Sequence, residues 1–413
     1  MIAFIFDKGA QSIAILLLAK VLGAADYGRL TLAQGMVNAV QIFVVLGAGT
    51  IIARYIPALL KISFRRAVEV INLCFLVIFM TGVLFAISGI LTAGEIAVSI
   101  LDLPASSAIP YWVLLWTLLT ALNGLFLTIM LSFENGRAAG IVSLASAVLM
   151  LIIIPISTDK YGFYGAVVGL TLTAAIRMTL FLSFYIQLLR SHGVALRVSP
   201  LRSDIPLLLS FGLPVFLSSA IWAPTMWLCQ IVLKEFSPGG LASVGLFGFC
   251  NNILGLIILI SSITNRASFP ILSSLAAKGD GGEARKFATS ILLVQVAAAV
   301  AVSVPVIIFA PHIMEMMGGQ FAGGELVLIV MVISGLILAG QQPLVNLLLV
   351  HDKAFTNLVG MSIWSVVLLG CSLVFVPIGA LGVALAVLSA ATIKGLFITW
   401  RTMNISYDQN ATS

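Results

Sequence analysis

Arg177 has more chemical potential than any other residue in this sequence. It stands 12 residues after Gly165 in an apolar run, about 18 Å along a helix, and 13 residues, about 20 Å, before Arg190. The run is long enough to cross a bilayer. A guanidinium at that depth requires water, an anionic ligand or a carboxylate. A ligand site and a structural ion pair both meet that need. Lys394 occupies a similar place in a later run, but Arg401 is only seven residues on, about 10 Å, so its ammonium can snorkel to the interface.

Other polar side chains interrupt apolar runs at helical spacing. Gln34, Asn38 and Gln41 are four and three apart, with Thr31 just above them, and share one helix face. An aqueous wall and ordinary interhelical hydrogen bonding both explain such a stripe. Trp116, Thr120 and Asn123 repeat the spacing in a second run. An aromatic face and an amide suit a hydroxyl-rich ligand, and they also suit helix packing. Gln230 beside Trp227, Asn251 with Asn252, and Gln341, Gln342 and Asn346 extend the set. Asp7 and Lys8 open the first run, with Gln11 on the face of Asp7. They read either as an ion-coupling carboxylate and a substrate-facing cation, or as interfacial charges within about 12 Å of the chain start.

Signatures of covalent chemistry do not appear. The stretches Lys278-Gly279-Asp280-Gly281-Gly282 and Gly318-Gly319-Gln320-Phe321-Ala322-Gly323-Gly324 do not match a phosphate-binding loop and read as flexible turns. His192, His312 and His351 are scattered, and loop carboxylates are not paired, so neither a metal nor a glycosidase site is expected. Cys74, Cys229, Cys250 and Cys371 sit in apolar runs as small buried hydrophobes. No cofactor is implied.

The elements that carry these residues are set by composition. The chain has 413 residues, 61% hydrophobic and 9% charged, against about 45–50% and about 25% in soluble domains. That excludes an ordinary soluble enzyme and a disordered chain. Charge-free gaps at 30–53, 70–94, 103–133, 138–158, 205–233, 236–265, 287–314, 326–351 and 354–393 mark spans; 2–22 and 163–187 add two, and Pro377 to Gly382 divides the last gap. The expectation is twelve transmembrane helices, an all-α polytopic protein. With the N-terminus in the cytoplasm, 14 Lys and Arg fall in inside loops and 4 in outside loops (Lys20, Arg29, Lys160 and Lys234). Both termini are therefore expected in the cytoplasm. The net charge of +6 reads as this bias, not as a nucleic-acid surface. Residues 1–22, with Asp7 and Lys8 inside the apolar stretch, read as a retained first span.

The halves repeat at an offset of 217. Gly23 maps to Gly240, Gly28 to Gly245, Gly162 to Gly379, Gly165 to Gly382, and Arg177 to Lys394. Six spans per half is an even number, so the repeats enter from one side. The expected architecture is two parallel six-helix lobes, residues 1–195 and 196–413, around a central cleft.

Four segments carry a family likeness: Leu22-Gly23-Ala24-Ala25-Asp26-Tyr27-Gly28-Arg29-Leu30, Gly47-Ala48-Gly49-Thr50 leading to Ala53-Arg54-Tyr55-Ile56-Pro57, Gly162-Phe163-Tyr164-Gly165-Ala166, and Ser210-Phe211-Gly212-Leu213-Pro214. In this order the chain resembles the polysaccharide flippase family of the multidrug/oligosaccharidyl-lipid/polysaccharide exporter superfamily. One departure is that the chain begins almost inside its first span, where members carry a short basic leader. The resemblance implies flipping of an undecaprenyl-pyrophosphate-linked oligosaccharide, such as an O-antigen or capsule repeat, through a cavity lined by spans 1, 2, 7 and 8, with basic residues attracting the pyrophosphate. It implies a bacterial or archaeal plasma membrane, membrane lipids as partners, and a polymerase and glycosyltransferases nearby. On this reading Lys8, Gln34, Asn38, Gln41, Asn123, Arg177, Gln230, Asn251 and Lys394 meet substrate and Asp7 couples an ion. A multidrug or lipid II exporter of the same fold and a non-transporting scaffold of a glycan synthase complex are the alternatives.

Overall fold

A lipid environment offers the backbone no hydrogen bonds, so every spanning segment must satisfy its own. The computed structural model meets that demand with helices. It describes residues 2–193, 216–217, 220–277, 281–350 and 353–410, and side chains at 2–8, 405–410 and several positions between 260 and 285 lie outside the description. Among the described residues no strand occurs. The long helices are α1 Ile2–Val45, α2 Ala48–Leu60, α3 Phe64–Leu91, α4 Ile109–Ser132, α5 Gly136–Ser191, α6 Trp222–Phe236, α7 Gly240–Ala277, α8 Gly281–Ile308, α9 Glu325–Val350, α10 Ala354–Phe375 and α11 Ala380–Asn410.

Eight helices among the described residues are long and apolar enough to cross a membrane, nine if Gly9–Val45 and Ala48–Leu60, bent by 49°, form one span. The chain is a multi-pass membrane protein. The count falls short of the expected twelve for two kinds of reason. Gly23 breaks the 44-residue α1 and Gly162 the 56-residue α5, and in each case the two segments count as one helix. Much of the expected span 205–233 lies outside the described residues.

The breaks follow the repeat. Gly23 has φ 72° and its mate Gly240 has φ 48°; Gly162 has φ 55° and its mate Gly379 has φ 71°. Only glycine takes this region without a Cβ penalty. The same turn therefore recurs at the same place in each half.

The helices cluster into two units, Met1–Leu22 with Arg29–Trp227 (unit 1) and Gly23–Gly28 with Leu228–Ser413 (unit 2). In unit 1, α4 runs against α5, and α2 meets α3 and α4. Its core joins Ile51, Ile71, Cys74, Phe126, Phe181 and Tyr185. In unit 2, α9 packs against α7, α8 and α11.

The segment Gly23–Gly28 is anchored inside unit 2. A Cβ on Gly28 would overlap the Leu241 carbonyl oxygen, and a Cβ on Gly245 would overlap that of Ala24. Ala24 and Leu241 are themselves 217 apart, so the crossing is reciprocal. Each glycine accepts the other helix's backbone at a distance only a missing side chain permits. The Ala24 N–H donates to Gln320 Oε1 at 2.7 Å. Tyr27 is buried edge-on to Phe321, centroids 6.3 Å apart, and its hydroxyl accepts from Asn252 Nδ2 at 3.1 Å. The glycine-rich stretch 318–324 is thus not a free turn, as its composition suggests. Its small residues let Gln320 and the buried Phe321 reach this segment. Residues 278–280 of the other glycine-rich stretch, and Ser210–Pro214, lie outside the described residues.

Candidate functional site

Unit 1 contains a cavity of about 230 Å³ whose wall is about half polar. Three helices build it. From α1 come Gln11, Asn38 and Gln41; from α4, Trp116, Thr120 and Asn123; from α5, Met150, Thr173 and Arg177. Both sequence stripes therefore converge on one space, and the mid-span arginine faces it too. Among the described residues no carboxylate lines this cavity.

The hydrogen bonding orders part of the wall and leaves part open. Gln41 Nε2 donates to Asn38 Oδ1 at 3.3 Å, which holds the two amides as a pair one turn apart. Asn123 is 7% exposed; its Nδ2 donates to the Ala174 carbonyl at 2.8 Å. Its Oδ1 is buried with no hydrogen-bond partner, an acceptor that costs free energy until a donor arrives. The guanidinium carbon of Arg177 lies 5.6 Å from the Phe181 ring centroid, so an aromatic face supports the cation from α5 itself. Amide oxygens, hydroxyls, an indole and a guanidinium can recognise sugar hydroxyls and phosphate oxygens together.

The other expected residues separate. Gln34 is half-buried and outside the cavity wall. It shares the face of Asn38 but stands four residues earlier, about 6 Å along the axis. Asp7 and Lys8 are on α1, with side chains outside the described residues. Gln230, Asn251 and Lys394 belong to unit 2. Gln230 is 4% exposed and its Oε1 has no partner. Asn251 is half-buried, while its neighbour Asn252 serves the packing of Tyr27.

Lys394 differs from expectation. Its side chain does not snorkel: it is 5% exposed. It shares the inward face of α11 with the buried Ala391 and Ile398, which directs it into the helix bundle. One turn before it, Gln341 Nε2 donates to the Ala391 carbonyl at 2.7 Å, the counterpart of the Asn123 bond to Ala174, since 174 and 391 are repeat mates. Each repeat thus places an amide clamp one turn before its basic residue. Burying an ammonium costs several kcal/mol. Lys394→Met should therefore raise the thermal unfolding midpoint in detergent, with a gain of about 1–4 kcal/mol. A lowered midpoint would show that the ammonium is already paired in the folded protein.

A further polar cluster was not singled out by spacing. Gln295, fully buried on α8, donates from Nε2 to Asn265 Oδ1 at 2.8 Å, and Asn265 Nδ2 reaches Gln342 Oε1 at 3.4 Å. It ties α7, α8 and α9 together. Gln295 is a lone amide in its apolar run and has no same-face partner on its own helix, so no stripe marks it. Among the described residues no group of three or more His, Cys, Asp or Glu could hold a metal ion.

A many-helix chain in two units, with a cavity holding amides and a guanidinium inside one of them, defines a polytopic membrane protein with an internal polar site. Comparison narrows the class. A family model described as polysaccharide biosynthesis protein matches residues 1–276. The chain belongs to that family. No curated protein matches it by sequence. Its fold is similar to that of an inward-facing multidrug resistance transporter of the MATE family, in the MOP superfamily (TM-score 0.78, 16% identity, 97% of this chain and 96% of that one). It is also similar to that of the lipid II flippase MurJ in an inward closed conformation (TM-score 0.70, 16% identity, 97% and 87%).

Proposed function

We propose that this protein flips an undecaprenyl-pyrophosphate-linked oligosaccharide across a bacterial or archaeal plasma membrane by alternating access, with both termini cytoplasmic and lobes meeting at 195/196. The observation that carries the reading is the unit 1 cavity, where Arg177 joins Asn38, Gln41, Trp116 and Asn123. Membership of the polysaccharide biosynthesis family supports it.

The barrier to unaided flipping is desolvation. Each sugar hydroxyl stripped of water without a new partner costs roughly 2–7 kcal/mol, and a diphosphate costs more. A wall of amides and hydroxyls substitutes for that water, while the lipid tail stays in hydrocarbon. In this scheme Arg177, Lys394 and Lys8 attract the diphosphate. Asn38, Gln41 and Asn123 bond sugar, with Gln34, Gln230 and Asn251 along its path, and Asp7 couples an ion. The protein performs no covalent step. A polysaccharide polymerase and glycosyltransferases are its functional neighbours. A guanidinium in the cavity wall supports an anionic glycolipid as the cargo.

Proteoliposomes loaded with a fluorescent lipid-linked oligosaccharide test the scheme. Headgroup transfer to the opposite leaflet should require the protein. Transport of a cationic dye with no transfer of the glycolipid would assign the cavity to drug export instead.

A further inference from the structure

The duplication supplies its own control for the amide cluster of unit 2. The bounds of α3 and α8 differ by 217 at both ends, so the repeat register holds through this region. At that offset Ser261, Asn265, Gln295 and Gln342 stand where the first half has Val44, Ala48, Ile78 and Leu125. All four of those mates are buried members of the apolar core of unit 1. The fold therefore packs these positions without polar atoms in one half. The other half departs from that solution four times at one place.

The departure carries a cost. Ser261 and Gln295 are fully buried, and Asn265 is 8% exposed. The amide donors are spent on protein acceptors: Gln295 Nε2 on Asn265 Oδ1, and Asn265 Nδ2 on Gln342 Oε1. Gln295 Nε2 also reaches the Ser261 carbonyl at 3.5 Å, which ties α7 and α8 at one spot. What is left over is oxygen. Gln295 Oε1 and Ser261 Oγ are both buried with no hydrogen-bond partner, and Asn265 Oδ1 keeps a second lone pair. Desolvated oxygens destabilise the fold until something meets them. Neutral oxygens are the donors of a hard cation, and a set without a carboxylate suits low charge.

We infer that Gln295 Oε1 and Ser261 Oγ, with Asn265 Oδ1, hold a monovalent alkali cation between α7 and α8. The ion answers both orphan oxygens and turns a costly cluster into a ligand-dependent brace. The site draws on no residue of the unit 1 cavity, and it stands whatever the cargo is.

Thermal unfolding of the full chain in detergent tests it, in sodium, potassium or choline chloride at equal ionic strength. The midpoint should rise with sodium or potassium over choline, and the rise should grow with concentration, as binding to the folded state requires. Gln295→Ile installs the residue type found at Ile78. It should remove the rise, while its midpoint in choline equals or exceeds that of the wild type. Ser261→Ala deletes one oxygen with little change in volume and should weaken the apparent ion affinity by about tenfold or more. It keeps the test open should Gln295→Ile fail to fold. Equilibrium dialysis against the radioactive form of whichever ion raises the midpoint should count one ion fewer per chain in Gln295→Ile. The same difference should persist in an Asp7→Asn background, which separates this ion from any held at Asp7. Equal ion counts with and without Gln295 in either background, or a midpoint that responds to magnesium alone, would overturn the inference. A midpoint indifferent to all three salts would also overturn it and leave the two oxygens to buried water.

Discussion

Arg177→Ala is expected to slow glycolipid flipping about 100-fold. Truncating one member of a desolvated, charge-assisted contact costs roughly 2–5 kcal/mol, and each 1.4 kcal/mol is a factor of ten. A mid-range value of about 3 kcal/mol gives the stated effect. Arg177→Lys keeps the charge but loses the planar fork that grips two phosphate oxygens at once. Its deficit should be nearer tenfold. A steric route to the same cavity is available at Gly124, which lines it and where an added Cβ has nothing within 4 Å. Gly124→Leu should project its side chain into the space without disturbing the helix contacts, and should reduce flipping while thermal stability holds. The readout is the initial rate of headgroup transfer in proteoliposomes, normalised to correctly folded protein. A wild-type rate in Arg177→Ala removes that residue from the mechanism.

The second large effect is structural. Gly28→Ala and Gly245→Ala should each destabilise the protein by about 3 kcal/mol or more, because each methyl group would meet a backbone carbonyl and not a movable side chain. The two sites are reciprocal across one crossing, so the double variant should cost clearly less than the sum of the singles. Gly255 on α7 supplies the control. A Cβ there meets nothing within 4 Å, and Gly255→Ala should be neutral or stabilising by up to about 1 kcal/mol through helix propensity. Thermal unfolding in detergent, followed by monodispersity on size exclusion, separates these cases. Equal midpoints for Gly28→Ala and Gly255→Ala would mean that the crossing is looser than described.

Two of these sites, Gly28 and Gly245, were marked in the sequence as repeat mates, but their contact was not. An offset of 217 says that two residues are equivalent; it does not say that they touch. The same limit applies to the polar stripes. Helical period gave Asn38 and Gln41 one face and Trp116, Thr120 and Asn123 another, because 3.6 residues per turn is a property of a single helix. Whether two faces meet depends on how helices pack. In this fold α1, α4 and α5 bring those faces together with Arg177 and leave Gln34 a turn away.

Hydrophobicity, the span-and-loop pattern and the duplication were decided by the amino-acid sequence alone, since they follow from local composition and spacing against a bilayer of fixed thickness. Position along a helix was also legible, which puts Arg177 midway between Gly165 and Arg190. Tertiary structure alone decided direction. It turned Lys394 into the protein, where distance to Arg401 suggested an exit to the interface, and it assigned Gly23–Gly28 to unit 2 despite its place in α1. It also assembled Gln295, Asn265 and Gln342 from three helices. These outcomes depend on contacts between residues far apart in the chain, and no local period encodes them.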